Sequence, residues 1–244
     1  MIGNFANTIF LSIDKWFVKG YMGMKAFAYY SFATQILMLV TMFTTPVTMT
    51  LYSYFSKKRN QDFENNVCKH FICVIFIMLC FPYVIDIVIS ELLPQYYESV
   101  GVVYILFLAQ VFSSINAAIF VNLYKTYKLQ KIYFTNLCSI IILSGITNLI
   151  FYKIDRSIKC FAYATLVCMV CMFYMNLKRF SYLKFSWREW VLMLCSIFIY
   201  VAFYKIDIPA FSFVLYILTY ILILFFLERK ELLYWKEQII HLWK

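Results

Sequence analysis

The chain has 244 residues, of which 64% are hydrophobic and only 14% are charged. Such a balance is unusual for a soluble globular protein. A net charge of +10 is compatible with nucleic-acid binding, but the sequence has no basic recognition helix, aromatic recognition motif or zinc-ligand spacing. The composition therefore favours a membrane protein and argues against a nucleic-acid partner.

Eight apolar stretches, separated by short polar breaks, predict an all-α polytopic transmembrane helix bundle. A helix rises about 1.5 Å per residue, so about 20 apolar residues cross a hydrocarbon layer of about 30 Å. A β-barrel is disfavoured because no alternation of polar and apolar residues runs through the chain. The predicted spans are 1–18, 27–54, 71–92, 100–124, 132–152, 158–177, 190–204 and 210–227.

Successive polar breaks between spans lie on alternate sides of the membrane, which gives two sets of breaks. Lys and Arg are concentrated in one set, and this richer set is expected to lie in the cytoplasm. Both chain ends belong to the richer set, so both termini are predicted to be cytoplasmic. Residues 228–244 carry an apolar stripe flanked by charges, which predicts an interfacial amphipathic tail. The richer set contains Lys57, Lys58, Arg59, Lys69, Lys125, Lys128, Lys131, Lys178, Arg179, Lys184, Arg188, Arg229, Lys230, Lys236 and Lys244.

The first span is the most unusual because it carries charged residues. Residues 1–13 cover only about 20 Å at helical rise, so a crossing must continue through Asp14 and Lys15. Charged side chains within a span are costly and by default indicate function. The alternative is that both side chains extend to the outer interface. Asp86, in the third span, poses the same choice.

Uncharged polar residues within other spans have two interpretations. Small and polar side chains on one helical face let helices approach closely and bond to each other. The same side chains would also suit the wall of a polar cavity. The set comprises Gln35, Gln110, Ser113, Ser114, Asn116, Thr147 and Asn148.

No pattern argues for covalent chemistry. The eight cysteines lie in or beside apolar helices, where they act as small hydrophobes. Cys168 and Cys171 form one C-x-x-C pair without a second pair, so neither a metal nor a cofactor is expected. The sequence contains no triad, P-loop or dinucleotide motif. The chain is therefore not expected to be an enzyme.

The residue order in the first two spans resembles the start of the second half of polysaccharide-repeat flippases. These flippases belong to the multidrug/oligosaccharidyl-lipid/polysaccharide exporter superfamily. The family pattern is an apolar helix, an acidic–basic pair, a short outer loop, and a Tyr-Ser/Ala helix ending in Ser-Lys. The similar features here are Asp14–Lys15, 19–25, Tyr30–Ala33 and Ser56–Lys57. A PQYYESV turn and a basic KTYKLQK turn follow, so the likeness covers roughly residues 5–180.

The resemblance implies a half-transporter. Residues 1–180 would form the second lobe, with two additional helices at 181–227 and the tail at 228–244. The first lobe would come from another polypeptide or from a second copy of this chain. The implied partners are membrane lipids and an undecaprenyl-diphosphate-linked oligosaccharide. The implied role is flipping that molecule across the bacterial inner membrane for O-antigen, lipopolysaccharide or capsule synthesis.

The chemistry of this substrate suggests roles for particular residues. A hydrated diphosphate head cannot cross hydrocarbon unless a polar cavity replaces its water. Lys15, Lys19 and Lys25 are candidates to hold the diphosphate, while Asp14 would either pair with Lys15 or respond to a proton or sodium gradient. Rocking of one lobe against the other would alternate access. The predicted substrate- and ion-binding residues are Asp14, Lys15, Lys19, Lys25, Gln35, Asp86, Gln110 and Asn116.

Three alternatives remain open at this point. A drug/cation antiporter of the same superfamily would need a buried acidic site, for which Asp86 is thin support. A membrane-embedded polysaccharide polymerase normally has a large outer loop, whereas the outer breaks here, such as 19–25, 93–99 and 153–159, are short. An inactive fragment is the third alternative, because the resemblance does not extend to a first lobe.

Overall fold

The computed structural model describes residues 2–57, 60–206 and 208–227, with the backbone alone for residues 2–11. Every regular element in these ranges is helical, which confirms the predicted all-α class. An apolar chain takes this form because a helix satisfies its own backbone polar groups. The α-helices are α1 (Ile2–Lys57), α2 (Gln61–Ile75), α3 (Phe81–Leu92), α4 (Val100–Ile115), α5 (Asn122–Thr126), α6 (Gln130–Ile154), α7 (Lys159–Arg179), α8 (Trp187–Tyr204) and α9 (Pro209–Leu227).

Seven helical stretches of the described chain are long and apolar enough to cross a membrane. This length and composition are compatible with a multi-pass membrane protein. Two stretches are composite, because 3₁₀ segments at Phe76–Cys80 and Pro94–Ser99 and a π-helical segment at Asn116–Val121 adjoin α-helices without a loop. The seven stretches are Ser12–Lys57, Gln61–Leu92, Pro94–Thr126, Gln130–Ile154, Lys159–Arg179, Trp187–Tyr204 and Pro209–Leu227.

The first two predicted spans both fall within α1, which reverses direction at Gly23. Gly23 has φ 83° and ψ −175°, a conformation that is open essentially to glycine alone. The Tyr30 hydroxyl lies 3.4 Å from Asp14 Oδ2, whereas a continuous helix would separate these positions by about 24 Å. The chain therefore forms a hairpin with a first arm, residues 2–22, and a second arm, residues 24–57. The count of eight spans stays a prediction, as does the orientation of the termini.

Packing divides the chain into two compact units. Unit 1 contains the described residues up to Asn60 together with Ile89–Ser181. Unit 2 contains Gln61–Val88 together with the described residues from Tyr182 onward, so α8 and α9 are grouped with a segment far away in sequence. The predicted division into second lobe and additional helices follows chain order and stays a prediction. The predicted tail at 228–244 lies outside the described residues.

Buried tyrosines hold unit 2 together by donating to backbone carbonyls. Tyr216 and Tyr220 on α9 donate to the carbonyls of Phe76 and Cys73, at 2.8 and 2.5 Å. These carbonyls lie at and just before the 3₁₀ segment, where the regular i to i+4 bonding of the helix changes. Pro82, which follows this segment and lacks an N–H group, explains the interruption. The irregular helix is therefore stabilised by hydroxyl groups from its neighbour.

The hairpin in α1 generates a stability prediction. Gly23→Ala forces a Cβ into a conformation with positive φ and is expected to destabilise the protein by about 1–3 kcal/mol. Gly20→Ala is the matched control, because Gly20 lies in regular helix and a Cβ there meets nothing within 4 Å. That control is expected to be neutral or to stabilise by up to about 1 kcal/mol. Thermal unfolding of the detergent-solubilised variants measures both, and equal midpoints would contradict the assignment of the turn.

Candidate functional site

The most distinctive polar cluster of unit 1 surrounds Asp14, a residue that is only 6% exposed. The Asn148 side-chain amide on α6 donates to Asp14 Oδ1 at 2.8 Å. The Thr165 hydroxyl on α7 donates to Asp14 Oδ2, and the Tyr30 hydroxyl on the second arm of α1 approaches the same oxygen at 3.4 Å. Four helical segments thus supply one buried carboxylate and three neutral donors. We call Asp14, Tyr30, Ser144, Asn148 and Thr165 the Asp14 cluster.

Two helix hairpins place the residues of this cluster at the same level along their helices. The turn at Gly23 places Tyr30 beside Asp14. Asn148 lies six residues before the end of α6, and Thr165 lies six residues after the start of α7. Because residues at equal distances from a tight turn face each other in antiparallel helices, these two side chains lie at the same level, about 9 Å from their turn. Ser144 is one helical turn from Asn148 and accepts from its amide at 3.3 Å.

The Thr165 hydroxyl can serve either protonation state of Asp14. Its single proton has three acceptors within reach, namely Asp14 Oδ2, the Phe161 carbonyl at 3.1 Å and the Tyr30 hydroxyl oxygen at 3.4 Å. When Asp14 is ionised, the hydroxyl donates to the carboxylate. When Asp14 is protonated, the carboxylic acid can donate to the hydroxyl, which then donates to the Phe161 carbonyl. The Thr165 proton therefore has an acceptor in both states, as does the Asp14 proton in the protonated state.

The cluster also has an unused oxygen. Asn148 Oδ1 is buried and has no hydrogen-bond partner among the described residues. An unsatisfied buried acceptor is costly, and a bound cation is one means of satisfying it. Rotation of the amide would bring Oδ1 to face the Asp14 carboxylate, beside the hydroxyls of Ser144 and Thr165. One carboxylate among neutral oxygens matches the charge of a proton or of a monovalent, oxygen-seeking cation such as Na⁺.

The predicted alternative of an Asp14–Lys15 ion pair is wrong. The hydrogen-bond partners of Asp14 are neutral side chains, and no described cation lies within ion-pair distance of its carboxylate. Lys15 is half-buried, and consecutive residues of a helix point in different directions. Asp14 is therefore a buried carboxyl group whose ionised form is not balanced by any described cation.

Lys19 and Lys25 flank the turn at Gly23 and are exposed. Lys19 Nζ lies 6.0 Å from the centre of the Phe27 ring, and Lys25 Nζ lies 5.9 Å from the centre of the Tyr29 ring. Both ammonium groups are at the outer limit of a cation–π contact. Their charge remains accessible at the end of unit 1 that carries the hairpin turn.

The other predicted site residues do not join the Asp14 cluster. Asn116 is buried in unit 1, where it donates to the Met169 carbonyl at 3.3 Å and accepts from Asn176 at 3.0 Å. This bonding between helices matches the packing interpretation of its span. Gln35 is exposed, Gln110 is half-buried, and Asp86 is a half-buried residue of unit 2.

Sequence reasoning did not single out Ser144 and Thr165. Each is an isolated hydroxyl residue in an apolar stretch and resembles any helix-packing residue. The spacing of Ser144 and Asn148, four residues apart on one face of α6, was the available signal. For Thr165 the sequence offered no signal, since its role depends on how α7 packs against α6 and α1.

Comparison with known proteins adds no relative: no family model, curated protein or solved structure matches the chain. The chemistry of the residues described above is the basis for inferring a function.

Removal of the Thr165 hydroxyl tests the structure of the cluster. Thr165→Val keeps the shape of the side chain but leaves a buried carboxylate with one donor fewer, which is expected to cost about 1–3 kcal/mol. The loss should shrink when Asp14 is already Asn, and a double-mutant cycle on thermal unfolding measures that difference. Thr135→Val is the matched control, because the exposed Thr135 hydroxyl bonds only to its own helix at the Lys131 carbonyl. Equal losses from both threonines in both backgrounds would contradict the described bonding.

Proposed function

We propose that this chain acts as the second lobe of a flippase that moves lipid-diphosphate-linked oligosaccharides across the bacterial inner membrane, for surface polysaccharide synthesis. The observation that carries the proposal is the buried Asp14 carboxylate, surrounded by neutral oxygen and amide groups within an apolar helical unit. The transport is driven by exchange of a proton or Na⁺ at the Asp14 cluster.

The Asp14 cluster supports a role in ion coupling for an energetic reason. Burying an ionised carboxylate without a cation is expensive, so occupation by a proton or Na⁺ stabilises the packed arrangement of α1, α6 and α7. Loss of that cation favours an arrangement in which water reaches Asp14. Such a difference in affinity between two states is what a gradient needs in order to drive a conformational cycle.

The lysines near the hairpin support an anionic substrate. Lys15, Lys19 and Lys25 all lie within one short stretch of α1, and the last two remain exposed. An ammonium group binds phosphate oxygens through charge-assisted hydrogen bonds. Several of them near the turn can hold a diphosphate head while the lipid tail stays in the membrane.

A second candidate, a drug/cation antiporter of the same superfamily, keeps one specific observation in its favour. Such a protein needs a buried acidic site, and Asp14 provides one in this half of the molecule, in place of the predicted Asp86. The exposed lysines weigh against it, because they would repel an organic cation. Uptake of cationic dyes without transport of lipid-linked saccharide would favour the antiporter.

Transport in native membranes tests the proposed function. Inside-out vesicles from source cells retain any partner lobe, and a fluorescent polyprenyl-diphosphate saccharide with an impermeant quencher reports transfer between leaflets. We expect transfer that depends on a proton or Na⁺ gradient, is lost on deletion of the gene, and is restored by the wild-type chain. Asp14→Asn should remove the gradient dependence, and Asp86→Asn is the matched control that should retain it. Transfer unchanged by deletion would overturn the proposal.

The lysines generate a separate binding prediction. In nanodiscs, the double variant Lys19→Gln/Lys25→Gln is expected to weaken binding of the diphosphate-linked lipid by about threefold to tenfold, since each exposed charge contributes modestly. Binding of the corresponding uncharged lipid alcohol should not change. Lys205→Gln, which removes an exposed charge from unit 2, is the control. A loss of the same size in this control would indicate general charge attraction instead of a site.

A further inference from the structure

Two interruptions of regular α-helix lie in neighbouring parts of unit 1. The second arm of α1 contains Pro46, which lacks the N–H that would bond to the carbonyl of Met42. The stretch from α4 to α5 contains the π-helical segment Asn116–Val121. Such segments widen a helix and frequently mark functional sites. Each interruption is a position where its helix can bend at lower cost than elsewhere.

Threonine side chains weaken the same part of α1 further. Their hydroxyls donate to carbonyls of the preceding turn. These hydrogen bonds compete with those that the backbone amides make to the same carbonyls, and they often bend a helix. This bonding runs without interruption through the turns around Pro46. The donors and acceptors are Thr41 to Met38, Thr44 to Val40 and Thr41, Thr45 to Thr41, Thr48 to Thr44, and Thr50 to Pro46.

Beyond the two interruptions, the helices are fastened to each other. The Asn122 side-chain amide donates to the Thr48 carbonyl at 2.8 Å and to the Ala118 carbonyl at 2.9 Å. About one turn further along, Lys125 Nζ lies 5.8 Å from the centre of the Tyr52 ring. Two successive turns of α5 therefore contact two successive turns of α1. Asn122 itself is only 1% exposed, so its bonds are shielded from water.

A third contact holds this pair of segments against the rest of unit 1. The hydroxyl of Tyr124 on α5 donates to Asn176 Oδ1 on α7 at 3.0 Å, and it accepts from Asn136 on α6 at 3.0 Å. Tyr124 is only 1% exposed. Its hydroxyl is thus the point at which α5 is bonded to both α6 and α7.

We infer that residues 47–57 and 122–129 move as one piece on a double hinge formed by Pro46 and the segment Asn116–Val121. The Asn122–Thr48 bond makes the two bends simultaneous, and the Tyr124–Asn176 bond closes the piece against α7. Opening widens the end of unit 1 that carries Lys57 and Lys125. The inferred hinge depends only on the packing of unit 1. It does not depend on the proposed function or on the identity of a substrate.

Hydrogen exchange of the full chain in nanodiscs, read by mass spectrometry, tests the hinge. Pro46→Ala restores the missing N–H and stiffens α1, so exchange should fall by about fivefold over residues 47–57. Exchange over residues 122–129 should fall with it, although the substitution is far from them in sequence. Pro94→Ala, at the start of another helical segment of unit 1, is the matched control and should leave both segments unchanged. A decrease confined to residues 43–57 would overturn the inference.

Two further variants test the Asn122–Thr48 bond between the two segments separately from the Tyr124–Asn176 bond to α7. In an Asn122→Leu background, Pro46→Ala should still slow exchange over residues 47–57 but no longer over 122–129. Tyr124→Phe, which removes only a hydroxyl, should raise exchange in both segments together by about fivefold. Tyr163→Phe removes an exposed hydroxyl from α7 and serves as its control. If Tyr124→Phe changes residues 122–129 alone, the two segments do not move as one piece. Transport is not measured, so this result is independent of the proposed function.

Discussion

A buried carboxylate is the constraint on which the rest of unit 1 depends. Removing Asp14 from water is costly unless donors replace that water, and the donors come from three other helical segments. The first arm of α1 therefore cannot slide or rotate without leaving a charge unsatisfied. The turn at Gly23, the depth of Asn148 on α6 and the depth of Thr165 on α7 together place the donors that meet this requirement.

The same arrangement underlies the proposed response of the site to ions. The cluster supplies enough neutral groups to tolerate a carboxylate, yet it supplies no cation to neutralise it. A fully compensated ion pair at this position would be insensitive to a gradient. An apolar residue in place of Asp14 would be buried at a lower free-energy cost but would not bind a cation. An ionisable residue deep in an apolar bundle indicates function by default, because burying it is costly.

Side chains also compensate for irregular backbone elsewhere in the molecule, in two different ways. In unit 2, hydroxyls of Tyr216 and Tyr220 bond to carbonyls near a 3₁₀ segment and rigidify it. In unit 1, the Asn122 side chain bonds across two interrupted helices, and in the hinge that we infer this bond makes the two helices bend together.

The sequence predicts the fold class well because apolar length alone reports a spanning helix, and predicted and observed helix ends agree closely from Gln130 onward. It also marks Asp14, since a charge in an apolar stretch is conspicuous. It does not show that Thr165 and Ser144 complete the site, because isolated hydroxyls are common in packed helices. The sequence also does not predict the grouping of residues 61–88 with α8 and α9, because contacts between distant segments leave no local sequence pattern.

We propose that Asp14 binds and releases a cation within unit 1. Infrared difference spectroscopy of the protein in nanodiscs measures this most directly, because the carbonyl stretch of a protonated carboxylic acid is distinct from the bands of a carboxylate. On acidification or Na⁺ addition, we expect a carboxyl band change that is present in the wild type, absent in Asp14→Asn and retained in Asp86→Asn. A band change that survives Asp14→Asn, or no change under either condition, would contradict the account.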